Sequence, residues 1–140
     1  MADAWLLDTG FLIAVVDVSD PHHRVCTDAL QIIKGPLLTV EGVLAEATHL
    51  LRRVPQGPRH AVEFALGAAA VFFEPSATSL RRALELMDKY RDVPMDWVDA
   101  LLVVAAEESG ITRVLTLDRR GFNTYRAKRT KPFTVLPASK

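Results

Sequence analysis

Short apolar runs alternate with stretches of helical period along almost the whole chain, and this alternation most constrains the fold. Leu6-Leu7, Leu37 to Val40, Ala70 to Phe73, Arg113 to Leu117 and Phe133 to Leu136 are brief, and all but the third abut Pro or Asp. Such runs read as strands. The segments between them have helical spacing. Phe11 to Val16 continues at once from the first strand. His22 to Lys34 carries Val25, Ala29, Ile32 and Ile33 on one face, opened by an Asp20-Pro21 start signal and stopped by Gly35-Pro36. Val43 to Leu51, about Arg59 to Leu66, Ser76 to Arg91 and Asp96 to Glu108 follow, and Gly110 ends the last of these. Strands alternating with helices predict a parallel sheet covered on both faces. The expected fold class is α/β, a three-layer α/β/α sandwich with a central parallel sheet, as a single domain over residues 1–140. The break at Val54-Pro55-Gln56-Gly57-Pro58 is the clearest in the chain and too short for a domain linker.

The size supports this. A chain of 140 residues buries about two thirds of its unfolded surface and needs no disulfide or structural metal to hold a core. The single cysteine, Cys26, excludes an internal disulfide framework, a Cys-rich zinc site and an iron–sulfur cluster. The apolar stretch from Trp5 to Val16 is broken by Asp8 and Gly10 and lacks a basic leader, unlike a signal peptide. No apolar run is long enough to span a membrane. A cytoplasmic protein is the expectation. Net charge is zero, but residues 112–140 hold eight basic side chains against the one acid Asp118. The rest of the chain is correspondingly acidic. A basic end of this kind can meet phosphate, or serve simply as a solvated, solubilising segment.

Five acids stand out by position. Asp8 and Asp118 each close an apolar strand, and ligands of open α/β sheets bind outside the carboxyl ends of strands. If the two strands are neighbours, these carboxylates meet. Asp96 and Asp99 are three apart and share a helix face. Glu46 lies among Val43 and Leu50, which predicts a half-buried carboxylate in need of a cation or hydrogen bonds. Each acid also has a local role open to it. Asp8 can cap the helix near Thr9, Asp118 can sit in a turn, and Asp96 with Asp99 forms a capping-box pattern. Glu46 can reach the surface and pair with His49 or Arg53. Taken together, a carboxylate cluster without Cys or an obvious His partner suits Mg²⁺ or Mn²⁺, one ion or two, and phosphoryl chemistry.

Other motifs are missing. There is no Walker-type loop, no GxGxxG and no nucleophile elbow. His22-His23 reads as a surface pair, Cys26 as packed and inert, and Trp97 as a core or rim aromatic. A dehalogenase-like phosphatase needs a second Asp two residues after the first, where this chain has Gly10.

The acidic motifs resemble those of PIN domains. Leu6-Leu7-Asp8-Thr9-Gly10-Phe11-Leu12-Ile13-Ala14 is similar to their opening motif, and Leu44-Ala45-Glu46-Ala47 to the second. Pro94-Met95-Asp96-Trp97-Val98-Asp99-Ala100-Leu101 with Ala105-Ala106-Glu107 is similar to the third, and Leu115-Thr116-Leu117-Asp118-Arg119-Arg120-Gly121-Phe122 to the fourth. The resemblance covers roughly residues 5–137, and the size is that of VapC-type toxins. It implies a Mg²⁺- or Mn²⁺-dependent endoribonuclease in which Asp8, Glu46, Asp99 and Asp118 form the catalytic cluster. Asp96 joins them as a secondary metal acid, and the hydroxyls of Thr9 and Thr116 support the metal or its waters. It further implies a homodimer, a small antitoxin partner and a tRNA or rRNA target. Gly10 stands where many members have Ser. Arg119 and Arg120, beside Asp118, are the candidate RNA-backbone contacts. The alternative is a PIN-like RNA-binding or regulatory module without turnover.

Overall fold

The computed structural model describes residues 3–138, so Lys140, counted in the basic segment, and the first two residues lie outside the described residues. Five short strands form one parallel sheet: β1 (Trp5–Leu7), β2 (Leu37–Thr39), β3 (Val71–Phe72), β4 (Arg113–Leu115) and β5 (Thr134–Leu136). Their spatial order is β3-β2-β1-β4-β5. β1, at the centre, is buried along its length, whereas the edge strands β3 and β5 are partly exposed. The chain therefore builds outward from β1 to one side, then returns to add β4 and β5 on the other. Right-handed crossovers in opposite directions place helices on opposite faces. One group is α1 (Thr9–Val16), α2 (His23–Ile32), α3 (Glu41–Leu50) and α4 (Gly57–Gly67), with α1 against α2 and α3 against α4. The other is α5 (Ala77–Lys89) packed on α6 (Trp97–Ser109), and α7 (Arg119–Thr124) lies beside β5. The expected three-layer architecture is present.

α6 shows why. Val98 and every residue from Ala100 to Ala106 are buried. A helix apolar all round belongs inside a core. α5 is amphipathic, buries Ala83 and Leu86, and covers the outer side of α6. Among the described residues no helix is long and apolar enough to cross a membrane.

The boundaries differ from the sequence reading at six elements. β2 stops at Thr39 because Val40 becomes the N-cap of α3. β3 and β4 are each two residues shorter than the apolar runs. α2 starts at His23, after Asp20-Pro21: the Asp20 carboxylate accepts the His22 N–H at 2.8 Å and its carbonyl accepts that of His23 at 3.0 Å. That local turn takes the place of a cap. The Pro-rich break already contains the first turn of α4, with Pro58 where a proline costs no hydrogen bond. Gly57 is needed there, since a Cβ would lie 2.5 Å from the Leu51 carbonyl oxygen. Finally, α7, with six residues, is too short to show a hydrophobic period, and its Asp118 start is equally a turn signal.

Candidate functional site

β1 and β4 are adjacent, with Leu7 opposite Leu115. The ladder runs one step further, as the Asp8 N–H donates to the Leu115 carbonyl at 3.0 Å. Here the strand order reverses, and open α/β sheets place their ligand crevice at such a point. A cleft of about 370 Å³ opens there, lined by all five predicted acids: Asp8, Glu46, Asp96, Asp99 and Asp118. Thr9, Gly10, Ile13, Leu50, Pro94 and Leu117 complete its wall, and none of these is cationic.

The five acids come from the starts of α1, α6 and α7 and from the body of α3. Asp8 is buried at the N-cap of α1. Its Oδ1 accepts the Thr9 N–H at 2.8 Å, and its Oδ2 accepts the Thr116 hydroxyl at 2.6 Å. The same Thr116 oxygen accepts the Asp118 N–H at 2.9 Å. Thr116 is fully buried and thus joins the two strand-end acids. Glu46 comes from α3, half-buried as expected, and its Oε1 accepts the Thr9 hydroxyl at 2.7 Å. Asp96 and Asp99 form a reciprocal capping box at the start of α6: Asp96 Oδ1 takes the Asp99 N–H at 2.8 Å, and Asp99 Oδ2 takes the Asp96 N–H at 3.1 Å. Asp118, more exposed, caps α7 by accepting the Gly121 N–H at 3.0 Å. The capping roles and the clustering therefore coexist. Thr9 and Thr116, expected to support a metal or its waters, each give their proton to a carboxylate.

The electrostatics follow from burial and like charge. Burial pushes Asp8 up to about 6, and the charges of Asp118 and Asp96 add to this against the hydrogen bonds from Thr116 and Thr9. Asp99 is pushed up to about 8, first by burial and then by the charges of Asp8 and Asp96. Asp8 and Asp99 thus hold protons that isolated carboxylates would have released. An oxygen-only, anionic donor set with no cation in the cleft wall fits a hard divalent ion. Among the described residues no three of these groups stand where one ion could be gripped directly.

The remaining candidates fall outside the cleft. Arg119 donates to the Pro137 carbonyl, while Arg120 is exposed. Trp97 is 38% exposed, an aromatic beside Asp96 at the start of α6. His22 faces Asp20, and the ring Nδ1 of His23 bonds the Ala14 carbonyl at 2.7 Å. Cys26 is buried and its thiol is pushed up to about 11, so it keeps its proton. A Cβ on Gly10 would meet Leu117 only at ordinary contact distance, 3.8 Å, so a Ser would fit there. One neighbour of the acids carries no sequence signal: Tyr125, a buried aromatic inside the basic segment.

The family profile of the PIN domain matches residues 5–128. Over 134 residues the chain is 31% identical to Ribonuclease VapC26 of Mycobacterium tuberculosis, covering 94% of this chain and 99% of that protein. Among solved structures it is similar to VapC20 of Mycobacterium tuberculosis, described as a toxin cleaving the sarcin–ricin loop. The TM-score is 0.71 at 21% identity, over 78% of this chain and 85% of that one. A toxin–antitoxin complex from Klebsiella pneumoniae aligns with a TM-score of 0.66 at 19% identity, over 86% and 91%.

Proposed function

The chain belongs to the PIN-domain family, and from that premise we propose that it is a divalent-metal-dependent endoribonuclease, the toxin of a toxin–antitoxin pair. The observation that carries this reading is the meeting of Asp8, Glu46, Asp99 and Asp118, from separate elements, in one cleft without a cation. Asp8, Glu46, Asp99 and Asp118 would hold one or two Mg²⁺ or Mn²⁺ ions, with Asp96 in a secondary role. Such an ion, when bound, polarises the phosphate and supplies a water acidic enough to attack phosphorus in line.

The chain's own residues do the rest. Thr116 keeps Asp8 and the Asp118 backbone in fixed relation through its single hydroxyl. Thr9 orients Glu46. The capping box fixes Asp99 against the N-terminus of α6. Arg120, exposed beside Asp118, attracts the RNA backbone without reading sequence. Arg119 joins it only if its bond to the Pro137 carbonyl yields.

The substrate is tRNA or rRNA, the working unit a homodimer of this single domain, and the compartment the cytoplasm. A small antitoxin restrains it. Exposed Leu50, which lines the cleft, and exposed Val62 and Leu66 on the paired helices α3 and α4 are suited to such a partner. Leu80 and Leu84, exposed one turn apart on α5, suit a second copy.

The test is incubation of purified protein with labelled total tRNA and rRNA, in Mg²⁺ or Mn²⁺ and in EDTA. The expected result is discrete fragments that require metal. Absence of cleavage in a folded, inhibitor-free sample would reject turnover and leave the RNA-binding module.

A further inference from the structure

Tyr125 is a polar side chain that the acidic site leaves unexplained. It is fully buried, and its hydroxyl has no hydrogen-bond partner among the described residues. Burying a hydroxyl without a partner is unfavourable, so its retention calls for a reason. The ring is pinned in place, edge-on to Tyr90 with centroids 5.1 Å apart and to Phe122 at 5.2 Å. Its own N–H closes α7 on the Gly121 carbonyl at 2.8 Å. Tyr90, by contrast, uses its hydroxyl to accept the Arg126 N–H at 3.0 Å.

The Tyr125 hydroxyl is turned toward the acids. A Cβ added to Gly121 would lie 2.9 Å from that hydroxyl and 2.3 Å from Asp118 Oδ2. The two oxygens thus flank a space that only glycine leaves open. Burial and the charges of Asp99, Asp118, Asp96 and Asp8 keep the phenol protonated, so it can act only as a neutral donor or acceptor. Asp118 Oδ1 is anchored by the Gly121 N–H, while Oδ2 is the oxygen on the side of Tyr125.

We infer that Tyr125 is a positioning residue for Asp118, its hydroxyl donating to Asp118 Oδ2, directly or through one water, when a divalent ion is bound in the cleft. The second bond fixes the plane of the carboxylate that the first alone lets rotate. The inference rests on the metal-dependent reading above. Partners that orient a ligating group in this way typically carry about 10–100-fold in metal affinity.

The test is calorimetric Mn²⁺ titration of the wild type, Tyr125→Phe, Asp118→Asn and the double variant, with melting curves of each metal-free protein. Tyr125→Phe is expected to weaken Mn²⁺ binding roughly 10-fold. Its metal-free melting temperature stays level or rises, because the deleted hydroxyl had no partner. In the Asp118→Asn background the same change adds nothing. Unchanged Mn²⁺ affinity, an undiminished effect without Asp118, or a destabilised metal-free Tyr125→Phe protein would each overturn the assignment. A wild type that binds no Mn²⁺ at millimolar concentration would overturn the metal reading as well, which separates the two failures.

Discussion

At the scale of single residues, the two strand-end carboxylates of the cleft each do two jobs with different atoms. Asp8 caps α1 with Oδ1 and takes the Thr116 hydroxyl with Oδ2. Asp118 caps α7 with Oδ1 and turns Oδ2 toward Tyr125. Substituting the amide for the acid separates the jobs, since an amide oxygen still accepts a hydrogen bond but carries no charge. Asp99→Asn should therefore fold as the wild type does, with a melting temperature equal or higher because it relieves repulsion from Asp8 and Asp96. Its single-turnover RNA cleavage should fall by at least about 100-fold, since a direct ligand matters more than its outer partners. Cleavage at the wild-type rate would remove Asp99 from the machinery. Thr116→Val leaves the Asp118 N–H and Asp8 Oδ2 without their shared partner. It should cost about 1–3 kcal/mol in urea unfolding, whereas Thr116→Ser should cost little. A Val variant as stable as the Ser variant would contradict that. The five acids were legible in the sequence because strand ends and helix starts announce themselves locally. Tyr125 was not, because what distinguishes it is a missing partner and a glycine four residues away.

At the scale of elements, helix starts carry the site. The N-caps of α1, α6 and α7 are all acids of the cleft. Helix N-termini favour negative charge, which partly offsets the mutual repulsion of the acids. Asp96 lets capping and charge be told apart. Asp96→Ser keeps a side-chain acceptor for the Asp99 N–H and should hold stability within about 0.5 kcal/mol. Asp96→Ala loses the acceptor and should cost about 1 kcal/mol. Both remove the charge, so both should weaken Mn²⁺ binding alike in calorimetry. Different metal affinities for the two would mean that the cap geometry matters as well as the charge. α7 marks a limit of pattern reading: with six residues it has too few turns to display a period, and its Asp–x–x–Gly start is equally a turn signal. Two of the shortened strands have a related cause: apolarity continues after β2 into Val40, which caps α3, and after β4 as far as Leu117, which lines the cleft.

At the scale of the whole molecule, the fold forces like charges together and stability should register it. Asp8 and Asp99 hold protons in the folded state well above the ordinary carboxylate value of 3.8. Between that value and the folded ones, about 6 and about 8, the folded chain binds more protons than the unfolded chain. The slope of unfolding free energy with pH is then negative. The stability these groups contribute is complete at acid pH and is lost as pH rises through the folded values. Metal-free protein should melt at progressively lower temperature from about pH 6 to pH 8, apart from other titrations. Because Mn²⁺ competes with those protons, the increase in melting temperature at 1 mM Mn²⁺, about that of a weak site's working range, should be larger at pH 8 than at pH 6. An equal or smaller increase at pH 8 would show that the acids are not raised together.

Local chemistry set out the fold class, six of the seven helices of the described residues and the acids that line the cleft, because periodicity, capping and strand-end turns are properties of neighbouring residues. The resemblance of the acidic motifs to PIN domains came from the same local segments. What the sequence left conditional was whether Asp8 and Asp118 meet. That depended on β1 and β4 being adjacent, although more than a hundred residues separate them, and strand order is decided by how the crossover helices bury their faces on the sheet. The proton affinities of the cluster, the shared Thr116 hydroxyl and the opposition of Tyr125 to Asp118 exist only through that packing. They are interactions across space between elements, and no spacing along the chain encodes them.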